Sequence, residues 1–189
     1  MVNFQADEVI QDYSPIQDIG IEDINKLNSL FTSNEQLILC TNIRSIFKNI
    51  SKLENLLCHM VCKPLLIVCT EALLTNENYF INIDGYVHYN SKTRLNESDD
   101  IVIYVLETVI HEVENITIGK TESQTITLSL KNEISLTISP IYRSHQYKIK
   151  KFSKKLFSFW EQNKNIKNHI VMGDFNIDIL KEPVESEDF

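Results

Sequence analysis

The stretch LILCTNIRSIFKNISKLENLLCHMVCKPLLIVCTE, residues 37–71, decides how this chain folds. It opens on a short, wholly apolar run, Leu37-Ile38-Leu39-Cys40, as expected of a strand buried on both faces. Phe47, Ile50, Leu53, Leu57 and Val61 then recur at three- and four-residue steps, which predicts a helix. Pro64 stops it, because its ring has no N–H to donate and clashes with the preceding turn. Leu65-Leu66-Ile67-Val68-Cys69 is a second apolar run. Strand, helix and strand in that order predict a crossover between two parallel neighbours.

Working outward, Ile101-Val102-Ile103-Tyr104-Val105 reads as a strand. Ile126, Leu128 and Leu130 alternate with Thr125, Thr127 and Ser129, and Ile134, Leu136 and Ile138 alternate with Ser135, Thr137 and Ser139. Period-two alternation on both sides of Lys131-Asn132 predicts an antiparallel hairpin with one wet face. A basic helix with Phe152, Leu156 and Phe159 on one side follows. His169-Ile170-Val171-Met172 is the last clear strand and runs into Gly173-Asp174-Phe175-Asn176. Upstream, residues 1–35 are acidic, contain Pro15 and Gly20, and carry Ile24, Leu27, Leu30 and Phe31 at helical spacing. They are expected to be a loosely attached segment ahead of a domain at 36–189. A parallel pair, an antiparallel hairpin and helices together predict an α/β fold of two packed mixed sheets flanked by helices.

Composition sets the outer bounds. The chain has 189 residues, 43% of them apolar and 23% charged, which suits one domain with a sizeable core. No apolar run approaches the ~18 residues of a membrane span, so no membrane partner is expected. Met1-Val2-Asn3-Phe4-Gln5-Ala6-Asp7-Glu8 lacks the basic-then-apolar pattern of a signal peptide, so an intracellular protein is expected. Cys40, Cys58, Cys62 and Cys69 all sit in apolar segments and read as reduced, buried thiols. Cys58, His59 and Cys62 would make half a zinc site, but no second cluster accompanies them. A net charge of −8 argues against a bulk nucleic-acid coat and leaves one local site open.

The polar residues of interest lie just past the carboxyl ends of apolar strands, where open α/β sheets put their ligand sites. Glu71 ends the second strand and could serve a hard divalent cation, which one or two carboxylates plus water and phosphate oxygens commonly hold. It could equally bond its own turn. Asp174 and Asn176, one residue apart, project to the same side of an extended segment. The carboxylate could take a proton from water and the amide could donate to developing charge. Alternatively, Asn176 would cap a helix over Ile177-Asp178-Ile179-Leu180.

Taken together, Thr41-Asn42-Ile43-Arg44-Ser45, Thr70-Glu71, Ile141-Tyr142-Arg143 and Gly173-Asp174-Phe175-Asn176 resemble the endonuclease/exonuclease/phosphatase superfamily, in its order and approximate spacing. The Asn-Ile-Arg-Ser-Ile and Gly-Asp-Phe-Asn-Ile-Asp-Ile-Leu wording is similar to the endonuclease domains of animal non-LTR retrotransposons, over about residues 37–182. The resemblance implies a four-layer α/β/β/α sandwich of the DNase I-like kind, and Mg²⁺- or Mn²⁺-dependent hydrolysis of DNA phosphodiesters. It implies that Glu71 ligates the metal, that Asn42 helps organise that site, and that Tyr142 contacts the scissile phosphate. Asp174 would orient or deprotonate water, and Asn176 would stabilise the transition state. The fold also serves other phosphate substrates, such as RNA, inositol phosphates and a sphingolipid, but the Asn-Ile-Arg-Ser wording favours DNA.

The pattern departs from the family in three places. The family carries a further C-terminal stretch with a closing Asp-His pair, whereas no histidine follows Asn176 before Phe189. An incomplete C-terminal side is therefore expected, with hydrolysis weak or lost, the alternative being a catalytically dead relic that binds nucleic acid or protein. Ala72 stands where a bulkier residue is usual, and Asp99-Asp100 replace a Gly-rich turn, adding charge that would repel DNA if that turn faced it. Residues 143–168 hold eight basic residues against Glu161 alone. Arg44, Arg143, Lys148, Lys151 and Lys155 are therefore expected to contact DNA, unless the helix simply presents a solvated face. The Lys148–Lys155 run also suits a nuclear address.

Overall fold

The computed structural model describes residues 25, 26, 28, 29, 36–74, 81–91 and 100–178. Strand β1 (Ile38–Asn42), helix α1 (Ile46–His59) and strand β2 (Leu66–Thr70) form the expected crossover, with β1 and β2 parallel and Asn42 level with Thr70. β2 is buried along its whole length because it lies inside a sheet that is covered on both sides. Strand β3 (Tyr86–Asn90) and strand β4 (Val102–Leu106) complete that sheet in the order β1-β2-β4-β3. Its outer face meets Ile46, Leu53 and Leu57 of α1 in one apolar cluster with Ile67, Cys69 and Tyr104.

The second sheet has the order β5 (Ile110–Ile118), β6 (Thr121–Ser129), β7 (Ser135–Tyr142) and β8 (His169–Asp174). β5, β6 and β7 are antiparallel neighbours, while β7 and β8 run parallel with Tyr142 level with Asp174. Helix α2 (Ile149–Asn163) covers the outer face through Phe152, which packs with Ile118, Ile141 and Tyr147. The main core lies between the sheets, where Leu66, Val68, Ile103 and Val105 meet Ile126, Leu128 and Ile138. Both sheets are mixed and both are helix-covered, so the layers run helix, sheet, sheet, helix.

Several expectations need correction. α1 stops at His59, and Val61 lies beyond it, 61% exposed. The hairpin turns through a short 3-10 segment at Lys131–Glu133, and its polar face is wet only toward that turn, where Ser129 and Ser135 are exposed. Thr125, Thr137 and Ser139 are buried beneath α2, and the hydroxyls pair with one another instead of with water. Thr125 Oγ1 lies 2.8 Å from Ser139 Oγ, and Ser139 Oγ lies 2.8 Å from His169 Nε2. Only two of the four thiols are buried: Cys62 and Cys69 are enclosed, while Cys40 and Cys58 are exposed. Among the described residues no group of three His, Cys, Asp or Glu could hold a metal, so Cys58, His59 and Cys62 form no zinc site. Asp100, expected on a charged turn, is fully buried. Its Oδ2 accepts from Leu74 N at 2.8 Å and its carbonyl accepts from Ala72 N at 3.0 Å. Of the N-terminal segment, Asn28 ties to the end of α1, donating to His59 O at 2.7 Å and accepting from Val61 N at 3.0 Å. Ile24, Leu27, Leu30 and Phe31 lie outside the described residues, as do Asp99 and residues 179–189.

Candidate active site

β1 and β8 are edge strands of different sheets, yet their carboxyl ends meet. Asn42 Nδ2 donates to Asp174 Oδ2 at 3.1 Å across 132 residues of chain. Asn42 Oδ1 accepts from Arg44 N at 3.2 Å, which fixes the amide's orientation and leaves Asp174 as the acceptor. The other carboxylate oxygen, Oδ1, accepts from Asn176 N at 3.0 Å. Asp174 is therefore held from two sides while half-buried. Cys40, on the same side of β1 as Asn42, feels this charge: although the residue as a whole reaches solvent, partial burial first and Asp174 second push its thiol pKa up. Cys69, on the neighbouring strand β2, is raised to about 12, again chiefly by burial, so neither sulfur offers a thiolate at neutral pH.

The loops around this point are conformationally costly. Arg44, Ser45, Glu71 and Asn176 all have positive φ, at 47, 90, 53 and 50°, where a β-carbon is disfavoured. Cross-ties hold them there. Ser45 N donates to Glu71 O at 2.8 Å, and Asn49 Nδ2 donates to Ile43 O at 2.9 Å. Gly173 is required outright, since at φ 139° a β-carbon would stand 2.0 Å from Ile141 O.

Glu71 sits one residue past β2 and is half-buried. No hydrogen bond engages its carboxylate among the described residues. A lone carboxylate suits a Mg²⁺ ion that completes its shell with water and substrate oxygens, and does not suit a self-contained protein cage. Tyr142 is 3% exposed and belongs to the inter-sheet core beside Asp174. Asn176 Nδ2 donates backward to Arg143 O at 2.8 Å, and half of the segment it was expected to cap, Ile179-Leu180, lies outside the described residues.

Arg143 departs most from expectation. It is 3% exposed, and its guanidinium serves backbone carbonyls: Phe175 O and Tyr147 O at 2.5 Å, Ser144 O at 3.2 Å, and Asn176 O. It clamps the loop that presents Asp174 and Asn176 instead of reaching outward to a phosphate. Arg44 is exposed, as are Lys148, Lys151 and Lys155 on α2. The structure thus brings Asn42, Asp174, Asn176 and Tyr142 together and leaves the lysines on a separate helix. Sequence reasoning missed the clamp and the Asn49 tie, for which the only local signal is an arginine directly after a buried tyrosine.

No family model matches the sequence, and no curated protein matches it by sequence. Solved structures do match. D. rerio TDP2 complexed with single-strand DNA product is similar with a TM-score of 0.54 at 15% identity, over 75% of this chain and 60% of that one. The endonuclease domain of TRAS1, a telomere-specific non-LTR retrotransposon, is similar with a TM-score of 0.50 at 12% identity, over 75% and 61%. The chain shares the fold of these structures, the DNase I-like arrangement of two mixed sheets flanked by helices. A retrotransposon endonuclease is among the proteins sharing that fold, and this chain spans about 60% of the length of the structures it matches.

Proposed function

We propose that this is a retrotransposon-type endonuclease domain, its strand-end site built for Mg²⁺-dependent hydrolysis of DNA phosphodiesters, weak or silent in this chain. The observation that carries the reading is the Asn42–Asp174 hydrogen bond. It unites the ends of two sheets around a carboxylate that is oriented and kept as an acceptor. Asp174 aligns the attacking water and receives its proton, while Asn42 holds Asp174 in that rotamer. Asn176 presents its remaining amide N–H to the phosphate, Arg143 holds the Asn176 loop, and Tyr142 buttresses Asp174. Glu71 would hold Mg²⁺, which when bound neutralises phosphate charge. The likeness to TRAS1 and the Asn42-Ile43-Arg44-Ser45-Ile46 wording support DNA as the substrate.

A second reading, a binding module without turnover, is favoured by one observation: among the described residues no histidine hydrogen-bonds Asp174 or Asn176. Missing general acid–base help costs ~10²–10⁴ in rate. Two measurements on the folded chain test both readings. Mn²⁺ binding, followed by water-proton relaxation, is expected for the wild type and lost in Glu71→Ala. Nicking of supercoiled plasmid with Mg²⁺ or Mn²⁺ is expected at trace level or below, and absent in Glu71→Ala and Asp174→Ala. Failure to bind Mn²⁺ through Glu71 overturns the site. Nicking untouched by both substitutions assigns any activity elsewhere.

A further inference from the structure

A second feature begins where the first ends. Ser153, Leu156, Phe157 and Trp160 of α2, with Val171 and Phe175, line an open and almost wholly apolar groove of about 380 Å³. Its aromatic members reach solvent: Phe157 is 65% exposed and Trp160 is 48% exposed. Exposed aromatic area of this kind marks a binding surface more often than chance. Trp160 is held rigidly, since its indole stacks on His169 with centroids 6.0 Å apart and planes 10° apart, and His169 is anchored to Ser139. Phe175 directly follows Asp174 in the chain, so the groove and the strand-end site share one segment.

The charge beside the groove is mainly positive, three lysines to the one carboxylate of Glu161. Lys150, Lys154, Phe157, Glu161 and Lys164 recur at three- and four-residue steps, which puts them on one stripe of the helix, adjoining the Ser153–Trp160 stripe. Lys150 and Lys154 are exposed and make no ion pair among the described residues. Lys164 reaches Glu161 at 3.1 Å, but that pair is exposed and therefore weak. These are not the lysines singled out from the sequence: Lys148, Lys151 and Lys155 lie on the other flank of α2, where Lys155 runs along Gly119.

We propose that this groove is a platform for single-stranded nucleic acid. Bases stack on Phe157, Trp160 and Phe175 while the backbone follows Lys150, Lys154 and Lys164. Rings beside a row of lysines are how sequence-tolerant single-strand binding is built, because every base has a π-face and every nucleotide a phosphate. A duplex is excluded in kind, since its bases are already stacked inside. The proposal does not depend on the preceding reading.

Trp160 is the chain's single tryptophan, so its emission reports this groove alone. Titration with a short oligothymidylate is expected to quench it saturably, and a matched duplex is expected to leave it unchanged. Phe157→Ala should weaken binding about tenfold or more. Lys150→Gln with Lys154→Gln should lower the slope of log affinity against log salt by ~1.4. Glu71→Ala and Asp174→Ala should bind as the wild type does, so collapse of the strand-end site would leave this result standing. Four outcomes overturn the proposal. The first two are emission unmoved by oligothymidylate, and equal quenching by duplex. The third is protein-concentration-dependent quenching with a dimer in sedimentation, which means a second copy covers the groove. The fourth is a rise in Trp160 exposure on deleting residues 179–189, which means the chain's own tail covers it.

Discussion

Helices α1 and α2 are nearly the same length, 14 and 15 residues, and both carry strong apolar stripes, yet they are used differently. α1 spends its stripe on its own sheet, with Ile46, Leu53 and Leu57 buried and Phe47, Ile50 and Leu56 packed beside them. α2 buries Phe152 alone and leaves Phe157, Trp160 and Ile149 in solvent. A helix that only supports its sheet has no reason to keep aromatic rings wet. α2 has one apolar side facing its sheet and a second facing outward, and the second lies beside the lysines.

That contrast breaks if the outward residues of α2 prove as costly to remove as the inward ones. The largest expected effect is at the inward side: Phe152→Ala should lower unfolding free energy by about 3–5 kcal/mol, and Leu57→Ala in α1 by about 2–5 kcal/mol. Urea midpoints at constant slope check both.

A smaller effect concerns the seam beneath α2. Burial lowers the His169 pKa below its ordinary value, and the groups around it are Ser139 from β7 and the Phe159 and Trp160 rings from α2. The unfolded chain then binds the proton more readily than the folded one. Stability from this residue is full above about pH 6.5 and falls as the pH drops toward the folded-state pKa. His169→Gln, which keeps a polar partner for Ser139 but does not titrate, should flatten that acid-side loss, read as urea midpoint against pH. α1 contains one histidine, the exposed His59, and has no buried counterpart to this seam. The smallest effect is expected at the outward side: Phe157→Ser should change stability by no more than about 0.5 kcal/mol. A loss like that of Phe152→Ala would place Phe157 in the core and end the comparison.

Much of the frame was legible because its signals are local. Leu65 to Cys69 had to be a doubly buried strand, and the alternation around Lys131-Asn132 had to be a hairpin. β3 and β5 were missed for physical reasons. Both are sheet edges, and β5 exposes Glu112 and Glu114 in a way that keeps an edge from pairing further and erases the apolar signal. The polar face of the hairpin was read as wet because sequence alternation records polarity and not what lies on top. At the site, Asn42, Asp174 and Asn176 are joined by hydrogen bonds, but the backbone around them does not follow from residue type. Arg44, Glu71 and Asn176 hold a conformation their side chains disfavour, and only long-range ties keep them there. Arg143 misled for the complementary reason: a charged residue in a basic segment looks like a surface contact until its carbonyl partners are seen.

Gly173 has a consequence for how the chain finds this arrangement. A parallel strand at the edge of a sheet is prone to slip, and a slip of one residue reverses every side chain. Where β7 and β8 meet, the gap opposite Ile141 admits no β-carbon, and neither Met172 nor Asp174 could occupy it. Glycine therefore acts as a register key: the strands zip fully only when Tyr142 lies level with Asp174, the alignment that also seats Asp174 against Asn42. Correct folding and assembly of the carboxylate's surroundings are thus one event, enforced by a missing side chain.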